Sequence, residues 1–518
     1  MKSKNAKLSE SEALQAIQAI NHGLATRNLN DPPERKKAIY AAFEARDRRF
    51  DGQIFAAVSS TGIYCRSVCP YHAKIENVTF YASAAEAEAD GYRPCLACRP
   101  ETAPGYSLAD ARSNLARRTA AKLRDNCTDG KSLEHVAASL GYTARHVRRV
   151  FEDEYGVTPA QYLLTCKLHL AKSLIADTDL PISRVATAAG FGSTRRFNAA
   201  FKEHYHLTPS EQRRATAKSH KKGEGKVVRL KLGYRPPMRF ADLLEFFRVR
   251  ALEGVELVDE MSYSRTACFR APDGTTARGW IRVEDDPAKS ALILSMSESL
   301  LPETSQVVAR VRRMFDLDCE PHVIHGCLRA LDDLRPGANV SGTRLPGCFE
   351  PFETCCRAVI GQQVSVAAAN KMAARIVEAF GGNVDTGIPG LSRSFPTPER
   401  IASFDDIATA LGPLGIIRSR SSVIAEIARL ILEGELALDA TMSPIEQMER
   451  LMAIKGIGPW TANYIAMRVL AYTDAFLETD AGVKHALPTL TPKERLAAVE
   501  NLRPWRSYAV ICLWNSLG

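Results

Sequence analysis

The sequence predicts a multidomain protein of the α+β class, mainly helical. It is built as a small zinc domain, a doubled helix-turn-helix, a small antiparallel α+β domain and an all-α domain containing a helix-hairpin-helix. Three observations carry this. At 518 residues the chain is too long for one core, and at about 150 residues per domain three or four are expected. Cys65, Cys69, Cys95 and Cys98 form two close pairs separated by a loop, the spacing of a four-thiolate zinc site. The pattern of residues 133–159 recurs at 182–209, at an offset of 49 and then 50 residues.

Charge divides the chain. Met1 to Lys226 holds 35 Lys and Arg against 24 Asp and Glu, net +11, and the remainder holds 33 against 35, net −2. The first half is therefore the electrostatic DNA binder. No apolar run reaches about 18 residues, and no charged-then-apolar N-terminal signal precedes a small-residue cleavage site. A soluble cytoplasmic protein with no membrane partner is expected. The cysteines outside the cluster, among them Cys127, Cys268, Cys355 and Cys356, lack ligand spacing and read as reduced thiols.

Residues 1–35 are a polar, basic extension in which Leu14, Ile17, Ile20 and Leu24 are spaced for a weakly amphipathic helix over Ser9 to Gly23; no chemistry attaches to it. Residues 36–104 form the zinc domain. Ile39 and Phe43 open an amphipathic stretch, and Phe55 to Val58 and Val78 to Tyr81 read as strands. Arg66, Arg93 and Arg99 surround the cysteines and suit a surface meeting DNA phosphate. On spacing alone an ordinary structural zinc knuckle is the favoured reading, and only the flanking residues reverse it.

The residues around the ligands, Ser59-Ser60-Thr61-Gly62-Ile63-Tyr64-Cys65-Arg66 and Arg93-Pro94-Cys95 with Cys98-Arg99-Pro100, resemble the methyl-acceptor domain of the Ada alkylation-response regulators. The resemblance implies that Cys65 is both a zinc ligand and the nucleophile that takes a methyl group from a DNA phosphotriester, with Cys69, Cys95 and Cys98 as plain ligands. Zinc keeps a thiol deprotonated at neutral pH, and the thiolate is the reactive form. Four thiolates on one Zn²⁺ leave a charge of about −2, which repels phosphate, and methylating one halves it. Relatives usually carry Pro after the Cys-Arg pair, where this chain has Ser67.

Residues 105–214 turn helical. Leu133 to Tyr142 parallels Ile182 to Phe191, and Val147, Phe151, Tyr155 and Thr158-Pro159 pair with Phe197, Phe201, Tyr205 and Thr208-Pro209. Each copy reads as helix, glycine turn, helix. Two copies joined by the apolar stretch Leu163 to Ile175 resemble the DNA-binding domain of AraC-type regulators. The second helix of each copy is expected in the major groove. Its candidate contacts are Thr143, Arg145, His146 and Arg149, then Ser193, Thr194, Arg195 and Asn198. For any one of them taken singly, a solvated basic helix face is favoured over a specific base contact; the repeat as a whole carries the reading.

Residues 215–226 are a polar, basic linker. Residues 227–301 alternate as strands at Val228 to Leu232, Thr266 to Arg270, Trp280 to Val283 and Ala291 to Met296, with an Asp273-Gly274 turn and a helix over Phe240 to Ala251. Tyr234-Arg235-Pro236-Pro237, Arg250-Ala251 and Gly254-Val255-Glu256 resemble the N-terminal domain of AlkA-type 3-methyladenine DNA glycosylases.

Residues 302–518 read as helical throughout. Within Leu451 to Tyr464, a helix stops at Lys455-Gly456, Ile457 plugs inward, Gly458 brings bare N–H groups forward and Pro459 opens the next helix. Such a hairpin, through Gly456 and Gly458, holds a DNA phosphate at a helix N-terminus. Phe476-Leu477-Glu478-Thr479-Asp480 follows. Hairpin and aspartate together resemble the helix-hairpin-helix DNA glycosylases, which implies that Asp480 is catalytic. A carboxylate stabilises the positive charge that builds on the sugar as an N-glycosidic bond breaks, and it orients water. Taken by itself, Asp480 reads as a helix N-cap. Strand-cutting relatives carry Lys two positions after the last hairpin glycine, where this chain has Trp460, so monofunctional hydrolysis is expected. No four-cysteine run follows Asp480, which argues against an iron–sulfur cluster.

Trp460 and Tyr464 share a helix face. With Trp514 they suit an aromatic pocket that favours electron-poor, cationic bases such as 3-methyladenine and 7-methylguanine, while Trp505 and Tyr508 read as core. In Gly361-Gln362-Gln363-Val364-Ser365 the relative's apolar wedge, a Leu, is replaced by Gln363; Gln362 and Gln363 complete the candidate substrate contacts. The combined resemblance implies a bifunctional alkylation-response protein with Zn²⁺, double-stranded DNA and RNA polymerase as partners. The Pro-Cys-His-Arg acceptor motif of full-length Ada is missing. Two alternatives remain open at this point: a transcription regulator with a vestigial glycosylase half, and a zinc-thiolate redox or metal sensor.

Overall fold

The computed structural model describes residues 12, 15, 16, 19, 20, 28–47, 50–71, 73–103, 115–216, 227–270, 275–439 and 442–517. Leu14, Ile17, Leu24, the basic run at 217–226 and the Asp273-Gly274 turn lie outside these. No helix among the described residues is long and apolar enough to cross a membrane.

The first sheet contains Phe55–Val58 (β1), Ile63–Cys65 (β2), Val78–Tyr81 (β3) and Arg93–Pro94 (β4), in the order β3-β1-β2-β4. β1 pairs antiparallel with β2 and β3, and β2 runs parallel to β4, with Tyr64 opposite Pro94. This parallel pairing brings the two cysteine pairs together. Helix Pro33–Glu44 packs Ile39 and Phe43 on the sheet, and Ala16, Ile20 and Leu29 are buried in the same cluster as Phe50, Ile54 and Phe80. Residues ahead of position 36 thus take part in the core of the zinc domain.

The sequence repeat folds as a structural repeat. Leu133–Ser139 and Ala144–Tyr155 match Ile182–Ala188 and Thr194–Tyr205 in length and order. Thr143 and Ser193 cap the second helix of each copy by accepting the N–H groups of His146 and Arg196. Val147 and Phe151, then Phe197, Phe201 and Tyr205, lie four apart on the inward face and are buried. Between the copies runs a linking helix of 19 residues, Pro159–Asp177, opened by a Thr158–Gln161 capping box.

In the second half, Val227–Gly233 (β5), Glu256–Val258 (β6), Ser262–Arg270 (β7), Thr276–Asp286 (β8) and Ala291–Ser297 (β9) form an antiparallel sheet ordered β5-β9-β8-β7-β6. β7 and β8 extend beyond the expected strands because their pairing continues from Ser262–Glu284 to Arg270–Thr276. The helix expected over Phe240 to Ala251 ends at Arg248. From Thr304 onward the chain is helical, interrupted among the described residues by a two-residue ribbon, Gly382–Asn383 with Arg393–Ser394.

The two halves share a core. Leu168, Ala171, Leu174 and Ile175 of the linking helix, with Phe197 and Phe201, belong to one buried cluster with Val228, Leu230, Leu232, Leu294 and Val307. Polar ties surround it. Lys122 bonds Asp439 at 2.9 Å, Thr128 meets Ser305 at 2.7 Å, Gln53 donates to Glu320 at 2.7 Å, and Arg313 and Arg184 pair with Asp125 and Glu298. Residues 1–216 and 227–518, co-expressed as separate chains, should co-elute on size exclusion. They should stay together at about 1 M salt, because screening weakens the ion pairs and leaves apolar burial intact; separate elution in low salt would refute the shared core.

Candidate functional site

The zinc cluster is built from strand ends. Cys65 closes β2, Cys69 follows a turn in which its N–H bonds the Arg66 carbonyl at 3.2 Å, and the Cys95 N–H bonds the Tyr64 carbonyl at 3.0 Å. The four Sγ atoms lie within 4.8 Å of one another. A zinc tetrahedron with Zn–S of about 2.3 Å needs sulfurs about 3.8 Å apart, so this donor set fits one Zn²⁺. Cys69, Cys95 and Cys98 are buried residues and Cys65 is half-buried, although all four ligand atoms sit inside the cluster.

Arg66 corrects the expectation of a phosphate-facing cation. Its guanidinium is buried against Asp51 in a two-pronged ion pair and donates to the Cys98 carbonyl at 3.2 Å. It ties the second cysteine pair to the sheet. Arg99 is also paired, with Glu101 and Asp177 at 3.0 and 2.7 Å. Arg93, half-buried on β4, has no such ion pair among the described residues.

The zinc domain is bolted to the linking helix. Lys172 is buried there, and its Nζ donates to the Cys95 carbonyl at 3.3 Å and to Glu101 at 2.6 Å. Burial pushes the Glu101 carboxyl up, but Lys172 and Arg99 more than offset this and hold it down to about 2. Beside it, the buried Glu88 accepts from Tyr64 Oη at 2.8 Å and Thr165 Oγ1 at 2.7 Å. In the helix-turn-helix unit, Arg145, Arg149, Arg195 and Asn198 are exposed while Thr194 and His146 are half-buried. His146 stacks on Tyr142, ring centroids 5.4 Å apart.

The second site is a cavity of about 1130 Å³ whose lining includes Gln362, Gln363, Gly456, Gly458, Trp460, Tyr464, Asp480 and Trp514. Helix Pro444–Met452 ends before Gly456, whose φ of +107° excludes a side chain; a Cβ there would also lie 2.7 Å from Val423. Helix Pro459–Val469 starts two residues after Ile457, which is buried as a plug. Asp480 N-caps Ala481–Ala486, accepting the Gly482 and Val483 N–H groups on Oδ1 at 2.8 and 3.1 Å. Two indoles complete its shell. Trp514 Nε1 donates to Oδ1 at 2.8 Å and Trp460 Nε1 to Oδ2 at 3.2 Å. Gly482 is required for this, since a Cβ there would stand 2.6 Å from the Trp514 ring. Trp505 and Tyr508 are core residues as expected.

Of the arginines in this cavity, Arg468 and Arg357 belong to no sequence motif and Arg250 only to the pair Arg250-Ala251. Arg250 sits 3.8 Å over the Phe246 ring, and Phe246 stacks on Trp514 at 6.2 Å. Trp460 stacks on Tyr464 at 5.3 Å. Arg468 donates to the Tyr464 hydroxyl at 2.8 Å. Burial pushes the Tyr464 phenol up, yet Arg468, Arg250 and Arg357 bring it below its ordinary value. Arg357 is itself neutralised by Glu256 and Glu353 at 3.0 and 2.9 Å. Arg250 was legible as part of a family pattern but not as a wall of the cavity, because only the fold brings β6 and the preceding loop against the hairpin. Gln362 donates its amide to the Gly456 carbonyl and Thr461 Oγ1, both at 3.0 Å, so it braces the hairpin.

The chain matches four families in succession: metal binding domain of Ada over residues 38–101, helix-turn-helix domain over 136–215, AlkA N-terminal domain over 229–350, and HhH-GPD superfamily base excision DNA repair protein over 356–500. Sensor, DNA-binding unit and glycosylase fold together define a class in which a regulator and a base-excision module share one polypeptide. Among relatives, the "Probable bifunctional transcriptional activator/DNA repair enzyme AlkA" of Mycobacterium tuberculosis is 34% identical over 92% of this chain and 96% of its own. The DNA-3-methyladenine glycosylase 2 of Escherichia coli is 35% identical over 55% of this chain and 97% of its own. The bifunctional transcriptional activator/DNA repair enzyme Ada of Escherichia coli is 40% identical over 22% of this chain and 31% of its own. A solved 3-methyladenine DNA-glycosylase from Archaeoglobus fulgidus is 22% identical, with a TM-score of 0.44 over 55% of this chain and 96% of that one. The chain belongs to the family of bifunctional transcriptional activator/DNA repair enzymes of the AlkA type.

Arg66→Ala strands the Asp51 carboxylate and should cost about 3–5 kcal/mol of stability, read as a lower melting temperature of the zinc-loaded protein. Arg93→Ala should leave melting unchanged and weaken DNA binding. The reverse pattern would restore Arg66 to the DNA surface.

Proposed function

We propose that this protein senses methylated DNA backbone through Cys65, binds promoter DNA through its paired helix-turn-helix, and excises alkylated bases through Asp480. The observation that carries the reading is the Asp480 carboxylate, fixed by two indole and two backbone N–H groups at the wall of a cavity flanked by the hairpin. Three of those donors converge on Oδ1, and Oδ2 takes one. Oδ2 therefore keeps lone-pair capacity for a water molecule or for the positive charge that develops on the sugar. The hairpin backbone at Gly456 and Gly458, ahead of helix Pro459–Val469, holds a neighbouring phosphate at that helix N-terminus, and the nucleotide turns out of the stack into the cavity.

Trp460, Tyr464 and Trp514, which line the cavity, offer aromatic faces to electron-poor purines of the 3-methyladenine and 7-methylguanine type. No lysine lines the cavity among the described residues, which supports hydrolysis without strand cleavage.

At the first site, Cys65, Cys69, Cys95 and Cys98 hold zinc, which supplies thiolate character at neutral pH. Cys65, the least buried residue of the four, attacks the methyl carbon of a phosphotriester. A C–S bond forms, the C–O bond breaks, and the phosphodiester anion leaves. One negative charge is lost from the cluster, which strengthens DNA binding. Arg145, His146, Arg149, Thr194, Arg195 and Asn198 then contact operator DNA, and RNA polymerase is the partner for activation on the bacterial nucleoid.

DNA methylated at random with a radiolabelled agent separates the two activities. Wild type should release free methylpurines and retain label on the Cys65 peptide. Asp480→Asn should lower base release by at least about 10²-fold and leave label transfer intact, and Cys65→Ala should do the converse. A wild type that releases no methylpurine would make the C-terminal half a DNA-binding relic.

A further inference from the structure

Arg250, Arg357 and Arg468 all line the Asp480 cavity, and two of them are committed. Arg357 faces Glu256 and Glu353 at 3.0 and 2.9 Å. Arg468 gives its guanidinium to the carbonyls of Pro346 and Gly347 and to the Tyr464 hydroxyl. Arg250 has no carboxylate at ion-pair distance among the described residues; it donates to the Phe246 carbonyl at 3.2 Å and lies over the Phe246 ring. Burial holds its guanidinium below the ordinary arginine value, Arg468 and Arg357 add to this, and Tyr464 opposes it only in part. The group stays charged at neutral pH even so. A half-buried cation without an anion costs stability that folding alone does not ask for. Its placement is informative. Asp480 stands at the Nε1 edges of Trp460 and Trp514, whereas Arg250 lies over the Trp514 ring, 6.0 Å from its centre, with Phe246 stacked on the same indole. An anion and a cation thus share one cavity wall, and neither is spent on the other.

Breaking an N-glycosidic bond leaves the electron pair of the C1′–N bond on the base. Water supplies the new C1′–O bond, and its proton goes to solvent. Positive charge grows on the sugar while the base gains one unit of negative charge, so 7-methylguanine, a cation when bound, departs neutral. A carboxylate at the sugar favours the first change. A cation at the base favours the second, and it disfavours the bound cationic base that precedes it, so its effect is larger on the transition state than on binding. Resting on the glycosylase reading above, we propose that Arg250 is a catalytic residue, the cationic pole that faces the base and draws the electron pair onto it while Asp480 acts on the sugar.

The test uses the zinc-loaded full-length protein and a duplex carrying one 7-methylguanine, read in single turnovers as the maximal release rate and the protein concentration at half-saturation. Arg250→Met keeps an unbranched stem on Phe246 and removes the charge; Arg250→Lys keeps the charge. Arg250→Met should lower the maximal rate at least about tenfold, within reach of one unit charge acting over about 6 Å at an effective dielectric constant of about 20. It should also lower the half-saturating concentration, because repulsion of the bound cation goes with the guanidinium. Arg250→Lys should restore most of the rate. A duplex carrying a tetrahydrofuran abasic analogue, which has no base to repel, should bind wild type and Arg250→Met alike. An unchanged rate in Arg250→Met, a slower rate that Arg250→Lys fails to restore, a raised half-saturating concentration, or weaker binding of the abasic duplex overturns the proposal; the last two make Arg250 a wall of the cavity or a phosphate contact. If wild type releases no 7-methylguanine, the glycosylase reading falls and this proposal with it, whereas release that is indifferent to Arg250 removes this proposal alone.

Discussion

A buried ammonium holds the first half of this protein together. Lys172 is buried and is tolerable only because Glu101 and the Cys95 carbonyl accept its hydrogen bonds. Glu101 in turn binds Arg99, and Arg99 binds Asp177 at the end of the same helix. The chain of charges closes on itself, so none of its members is left unpaired. Because one acceptor is the main chain of a cysteine in the zinc cluster, the position of the metal domain on the DNA-binding unit is set by the cluster's own backbone. The linking helix that carries Lys172 also packs on the sheet of the second half, so sensor, reader and repair module meet on one element.

The second site follows a different logic. Its carboxylate is fixed by neutral donors, two of them indoles that also form cavity walls. Aromatic surface and charge placement are therefore the same atoms. Arg357 and Arg468 beside Tyr464 are balanced by Glu256, Glu353 and main-chain carbonyls of Pro346 and Gly347, which leaves Asp480 as the carboxylate that is not committed to an arginine in the cavity.

Much of this was legible in the chain. Strands Phe55–Val58 and Val78–Tyr81 run where the short apolar and aromatic stretches imply, and the doubled unit follows its repeat because small and aromatic residues recur at helical spacing. The cluster and the hairpin were legible because cysteine spacing and glycine-proline punctuation act locally. Arg66 was misread for a physical reason: sequence shows a cation beside metal ligands but not the Asp51 fifteen residues away that removes it from solvent. β6 and the short ribbon at 382–394 have no periodicity to find. Arg250 and Arg468 escaped because their roles depend on two distant segments closing over one cavity. The sharing of a core between the halves escaped as well, since the basic run before Val227 reads as a separator.

Asp480 is held in place for two independent reasons. Its Oδ1 stops the helix Ala481–Ala486 from fraying, a service worth about 1 kcal/mol in ordinary caps, while its Oδ2 faces the cavity. Among replacements, asparagine, serine and threonine keep a cap while discarding the charge, and alanine discards both. On the proposed role of Asp480, loss of repair chemistry here is therefore coupled to loss of helix stability for every substitution that removes the cap. A lineage that no longer needed the activity would still be under folding pressure to retain a short polar side chain here, and the site would decay toward asparagine or serine before it disappeared.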